Sequence, residues 1–196
     1  MVELNVTPAF DQPKGSATQV TPRPSFRSFA WRVIALQVLT YFVFGILAYF
    51  VLDYQKAFET TDLRYLMLPT TSPWVAAGPA LQVFRGLLFA LVLYPLAAEF
   101  LRRPKGALVL WGLFVGLAIL GTCGPSPGSL EGLIYTKLPW RMQVFGWPEV
   151  VLQTLFFSLG LVWWCRKPAR WKNVVSGVAV GLIVAMSLMG VLAAQR

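Results

Sequence analysis

Histidine is absent from this 196-residue chain, Asp and Glu together number eight, and cysteine appears twice. The lack of histidine removes HExxH zinc sites, histidine-containing catalytic triads, bis-histidine haem ligation and histidine-based phosphatases. The apolar segments carry no Asp or Glu near their middles, so proton-relay pumps and paired-aspartate intramembrane proteases lose their essential groups. Cys123 and Cys165 are expected on opposite sides of a membrane, where they cannot bridge, and no CxxC is present for thiol–quinone exchange. No glycine-rich phosphate cradle is visible either. Neither a metal nor a cofactor is expected. The one catalytic candidate is Ser126 or Ser129 with Lys137 as base, and Ser-Gly-Pro clusters of this kind more often make turns. The residues thus lean away from an enzyme.

What the chain has in quantity is apolar surface. It is 57% hydrophobic and 13% charged, with a mean hydropathy of +0.62, whereas a soluble domain carries about 25% charged residues. Runs of roughly 18 or more apolar residues read as membrane spans. The expected fold is an all-α polytopic membrane protein, a bundle of five transmembrane helices over about 30–52, 79–101, 107–122, 148–165 and 174–194. Residues 1–28 hold Pro8, Pro13, Pro22 and Pro24 without apolar periodicity, and read as a disordered cytoplasmic arm ahead of a membrane domain over 29–196. The first span lacks a small-residue cleavage site and reads as an uncleaved anchor.

The net charge of +9 reflects topology rather than nucleic-acid binding, because no basic stripe with interleaved aromatics stands outside the spans. One side gathers Lys14, Arg23, Arg27, Arg32, Arg102, Arg103, Lys105, Arg166, Lys167, Arg170 and Lys172. The other has Lys56, Arg64, Lys137, Arg141 and Arg196, diluted by Asp53, Glu59, Asp62 and Glu131. By the positive-inside rule the N-terminus is cytoplasmic and the C-terminus outside. Trp31, Trp111, Trp147, Trp163, Trp164 and Trp171 lie near span ends, as an aromatic belt does. In the outer loop 123–147, Leu130, Leu133, Ile134 and Leu138 approach helical spacing, which predicts a short interfacial helix capped by Ser129. Residues 53–78 read as the other, irregular outer loop.

Two helical hairpins share a basic turn. Arg102-Arg103-Pro104 and Arg166-Lys167-Pro168 are offset by 64 residues, and the same offset pairs Arg85 with Glu149. Arg85 lies 17 residues before Arg102, about 25 Å along a helix, which puts it near the outer boundary of the hydrocarbon rather than at its midplane. Three fates are open to it: an ion pair with Glu149, an ion pair with Glu131, or snorkelling to the headgroups. Gln82 and Gly86 accompany Arg85 on its helix; Gln153 and Gly160 accompany Glu149; Gln37, Tyr41, Gly45 and Ala48 line up on the first span. These faces read as interhelical packing or as the wall of a cavity open to the outside. Gly112 with Gly116, and Gly177 with Gly181 and Ala185, have the spacing of close helix contacts.

No family resemblance stands out. Three functional readings follow. The first is a non-enzymatic accessory or interaction subunit, partnered by other membrane subunits or a second copy within the bilayer. The second is a binding or transport protein with an outward cavity for an anionic or lipid-like ligand, built around Arg85, Glu131 and Glu149 with Gln82 and Gln153. The third is a membrane enzyme using outer-face carboxylates or serine. A bacterial inner (plasma) membrane is the expected location.

Overall fold

A computed structural model describes residues 24–120 and 124–195. Among the described residues the chain is all-helical: α1 (Phe26–Val51), α2 (Tyr54–Thr60), α3 (Pro73–Arg102), α4 (Gly106–Leu120), α5 (Leu130–Tyr135), α6 (Trp140–Val144), α7 (Trp147–Arg166) and α8 (Arg170–Ala194). A 3-10 turn over Asp62–Tyr65 follows α2. Helices α1 and α3, the α6–α7 segment Trp140–Arg166, and α8 are long and apolar enough to cross a membrane, and their assembly is compatible with a membrane helical bundle. Helix α4 is the short one, with 15 residues or roughly 22 Å of length. Most of the arm expected over 1–28 lies outside the described residues, as do Cys123 and Arg196.

Helices α1, α3 and α8 begin four or more residues earlier than their hydropathy suggests, and for α1 and α3 the reason is tertiary. Helix α1 starts at Phe26 because its first turn is held from α3. Phe26 and Phe29 pack on the Tyr94 ring with centroids 5.2 and 5.6 Å away, and the Tyr94 hydroxyl donates to the Pro24 carbonyl at 3.3 Å. Helix α3 starts at Pro73, where proline's fixed φ and missing N–H suit a first helical position, and it runs on through Pro79. An internal proline disturbs the local i→i−4 ladder, and here a serine from another helix repairs it. Ser187 on α8 donates to the Ala76 carbonyl at 2.5 Å and accepts from the Ala80 N–H at 3.3 Å, bridging a pair that would otherwise bond directly. Neighbouring Ser and Thr side chains supply this repair where no water is present.

Helix α1 packs against α3, α7 and α8, and α4 packs on α7. One buried cluster joins Phe29, Val33, Leu93, Phe100, Leu110 and Leu161; a second joins Ala35, Val38, Trp164 and Ile183. Helices α1 and α3 come close at Gly86, where a Cβ would stand 2.7 Å from the Ile34 Cα. Beside it, buried Gln37 donates to buried Gln82 at 2.9 Å, an interhelical bond of the kind worth about 1 kcal/mol in a membrane.

The two basic turns meet at one end of the bundle. The Arg166 guanidinium donates to the carbonyl of Leu101 at 3.1 Å and to that of Arg103. Lys172 lies over the Trp163 ring, 3.4 Å from its centroid, and donates to the Lys167 carbonyl. The turns are not copies of each other. Gly106 is buried in the first, and the residue 64 positions on is Arg170, which is exposed. At the opposite end the loops are more structured than their sequence suggests. Residues 53–78 contain α2 and the 3-10 turn, and the loop after α4 holds two short helices, α5 and α6, where one was expected. Ser129 caps α5 by accepting from the Gly132 N–H at 2.9 Å. Gln143 ties the two together, accepting from Gly128 N–H at 2.7 Å and donating to Gly132 O and Thr136 Oγ1 at 2.8 and 2.6 Å.

Candidate binding cavity

The polar residues of three long helices converge on one space. A cavity of about 350 Å³ is lined by Gln37 and Tyr41 from α1, Arg85 from α3, and Glu149 and Gln153 from α7, over a floor that includes Phe89. Helical geometry accounts for the convergence. Gln37 and Tyr41 are four residues apart, as are Glu149 and Gln153, so each pair shares a face. Gly86 lets α3 approach α1 closely enough for the adjacent Arg85 to reach the same space. Phe89, Phe114 and Phe157 close one side in edge-to-face and tilted contacts with centroids 5.6 to 6.5 Å apart.

Arg85 and Glu149 line this cavity without pairing. Arg103 does form an ion pair, with Glu99 at 3.2 Å on the surface. The Arg85 guanidinium is exposed and lies 5.3 Å from the Phe89 ring centroid, a cation–π contact; no hydrogen bond or ion pair ties it to another described residue. Glu149 is held instead by Tyr54, whose hydroxyl donates to Oε2. Tyr54 itself stacks on Phe58 and packs on Phe145, so α2 is docked against the start of α7. The Tyr41 hydroxyl sits within electrostatic reach of both Glu149 and Arg85.

A second space adjoins the first. A groove of about 640 Å³ runs between α1 and α3, lined by Gly45, Phe50, Tyr54, Trp74 and Pro79, and it shares Tyr41 and Glu149 with the polar cavity. Its walls are apolar and partly open: Phe50 and Trp74 are 76% and 71% exposed. A third cavity of about 360 Å³ lies under the loops that carry α2, α5 and α6 and reaches Tyr54, Gln143 and Trp147. The Tyr54–Glu149 contact therefore stands where all three meet.

The remaining sequence candidates lie elsewhere. Gln82 is buried against Gln37 and does not line the polar cavity. Glu131 is half-buried in the first turn of α5 and also stays away from it. Gly112, Gly116 and Gly181 have nothing within 4 Å of where a Cβ would be, and Gly177 meets Trp31 at 3.8 Å; Ala185 is exposed. Ser129 is buried with its hydroxyl committed to the Ser126 carbonyl and the Gly132 N–H, whereas Lys137 is exposed. Tyr54 is the site residue that sequence reading passes over. Its only local signal is the i,i+4 aromatic pair with Phe58 in a stretch that otherwise reads as loop.

Tyr54 also predicts a measurable pH effect. Burial, the bond to Glu149 and the carboxylate's charge hold its phenol well above the ordinary value of 10.0. A group whose pKa is raised by folding stabilises the fold fully below its unfolded pKa, and that contribution is lost as pH rises through the folded one. Thermal stability in detergent is therefore expected to fall above about pH 10 more steeply in the wild type than in Tyr54→Phe. Parallel profiles for the two proteins would contradict the assignment.

Fold and site together define an all-helical bundle with membrane-length apolar helices around a cavity of mixed charge. No protein-family model matches the chain, and neither a curated protein nor a solved structure shows detectable similarity to it.

Proposed function

We propose that this is a five-span integral membrane protein that binds an amphipathic, lipid-like ligand in an outward-facing cavity. The observation that carries the reading is Arg85: a guanidinium without an ionic partner among the described residues, lining a polar cavity that continues into an apolar groove. An intramembrane cation of this kind is a functional-site hypothesis by default, and a mostly apolar pocket with a few convergent polar groups is the usual form of a ligand site. The orientation draws support from the gathering of Arg27, Arg102, Arg103, Lys105, Arg166 and Lys167 at one end, by the positive-inside rule. That end is cytoplasmic in this reading, α4 is the fifth span, and the cavity lies toward the outside of a plasma membrane.

Extraction in a mild detergent followed by mass spectrometry tests the proposal. The protein is expected to carry a co-purified amphipath, and Arg85→Met is expected to retain about tenfold less of it or lower still, since a hydrogen bond to a charged group is worth about 1.5–3 kcal/mol. A protein that purifies alone and empty would overturn the reading. A second reading, as a subunit of a larger membrane assembly, is favoured by the open space beside Gly112, Gly116 and Gly181; a stable heteromeric complex without ligand would support it instead.

A further inference from the structure

The charges in the polar cavity select among amphipaths. A ligand bearing only an anion would satisfy Arg85 and confront the Glu149 carboxylate in the same cavity of about 350 Å³. One bearing only a cation would satisfy Glu149 and confront Arg85. The two side chains do not neutralise each other by direct contact: Arg85 has the face of Phe89, and Glu149 has the Tyr54 phenol on Oε2. Oε1 of Glu149 is left to accept from an incoming donor. A carboxylate accepts hydrogen bonds and cannot donate them, so a cation that carries N–H groups gains a bond there that a quaternary ammonium cannot make. On the other side, the flat fork of a guanidinium fits the oxygens of a phosphate. The groove that shares Tyr41 and Glu149 with this cavity is apolar and has the volume of an ordinary ligand site, about 300–1,000 Å³.

We infer that the two connected spaces hold a zwitterionic aminophospholipid, with its phosphate at Arg85, its primary ammonium at Glu149 and an acyl chain in the groove between α1 and α3. This rests on the proposed amphipath-binding function and narrows it to one headgroup chemistry. Gln153, one turn after Glu149 and in the same cavity, offers an amide oxygen as a second acceptor for the ammonium. Tyr54 is a positioning residue: it holds one carboxylate oxygen in place and leaves the other facing the ligand.

Native mass spectrometry of the full chain in micelles doped with equal amounts of phosphatidylethanolamine, phosphatidylglycerol and phosphatidylcholine tests the inference. The wild type is expected to retain phosphatidylethanolamine over each competitor by about tenfold, the ratio that one charge-assisted hydrogen bond supplies. Glu149→Gln is expected to bring the ethanolamine-to-glycerol ratio to one or below, Glu149→Asp to restore much of it, and Tyr54→Phe, which frees the carboxylate without removing it, to lower the ratio part of the way. Equal retention of all three lipids by the wild type, or an unchanged ratio in Glu149→Gln, overturns the zwitterion inference and leaves amphipath binding standing. Retention of no lipid by any variant overturns both. Chain-free glycerophosphoethanolamine is expected to compete poorly; displacement at equal concentration would refute the role of the groove. Monodisperse elution of each variant on size exclusion confirms that the comparison is between folded proteins.

Discussion

Gly106→Ala is expected to be the most damaging single methyl addition in the bundle. Gly106 is buried where α3 turns into α4, and a Cβ there would stand 1.7 Å from the Phe100 carbonyl oxygen and 2.6 Å from its carbon. The obstacle is backbone belonging to the last turns of α3, so no rotamer change relieves it. Either that turn unwinds or α4 swings away, and Leu110 leaves the buried cluster it shares with Phe100. The loss is expected to reach at least the ~3 kcal/mol that marks the upper end of ordinary overpacking. Gly86→Ala, at 2.7 Å from the Ile34 Cα, is expected to fall within the ~1–3 kcal/mol range by prising α1 from α3. Gly112→Ala and Gly116→Ala provide the contrast. Nothing lies within 4 Å of either position, and alanine is the better helix former by up to about 1 kcal/mol, so both are expected to match or exceed the wild type. Heating in detergent followed by size exclusion reads the order directly; a Gly106→Ala protein as heat-resistant as Gly112→Ala would refute it.

That contrast shows what sequence spacing conveys and what it leaves out. The i,i+4 spacing of Gly112 and Gly116 marks a face on which two helices can come close, but it does not say whether a partner arrives. The glycine that does admit a neighbouring backbone, Gly86, is followed four positions on by Ala90, the same spacing that Gly181 has with Ala185, yet Gly181 meets nothing. Hydropathy located the long helices well, since apolar composition is a property of each segment by itself. It missed the starts of α1 and α3 because those depend on Tyr94 and Ser187, which lie 65 or more residues away along the chain from the turns they support.

The site divides along the same line. Gln37 with Tyr41, and Glu149 with Gln153, could be grouped by helical period, and the hairpin offset set Arg85 against Glu149. What the pattern could not supply was the third party. Tyr54 lies on a seven-residue helix in a loop, and its bond to Glu149 crosses 95 residues of sequence. Its arrival decides the chemistry of the cavity, because a carboxylate held by a phenol keeps an acceptor for a ligand, whereas one locked to Arg85 would not.

The roof over this arrangement hangs on Gln143, and Gln143→Leu is expected to release it. The side chain is 2% exposed, and its amide serves both directions at once: the oxygen receives the Gly128 N–H, and the nitrogen feeds the Gly132 carbonyl and Thr136 Oγ1. Leucine fills a similar volume without either function. Gly132 O keeps the Thr136 hydroxyl and N–H as donors, so the principal orphan is the Gly128 N–H. An unsatisfied buried donor costs about 1–3 kcal/mol, and the lost bonds to Gly132 and Thr136 add about 1 kcal/mol. Gln143→Glu separates the two roles, because a carboxylate accepts from Gly128 and cannot donate to Gly132; it is expected to lie between the wild type and Gln143→Leu. Trp147 donates to the Gly128 carbonyl at 2.8 Å, so loosening Gly128 also frees the residue that opens α7, two positions before Glu149. Limited proteolysis should then cut Gln143→Leu within 124–146 under conditions that leave the wild type intact, and its lipid retention should fall although neither Arg85 nor Glu149 has been touched. A loop equally resistant in both proteins would show that the Gln143 bonds do not hold it.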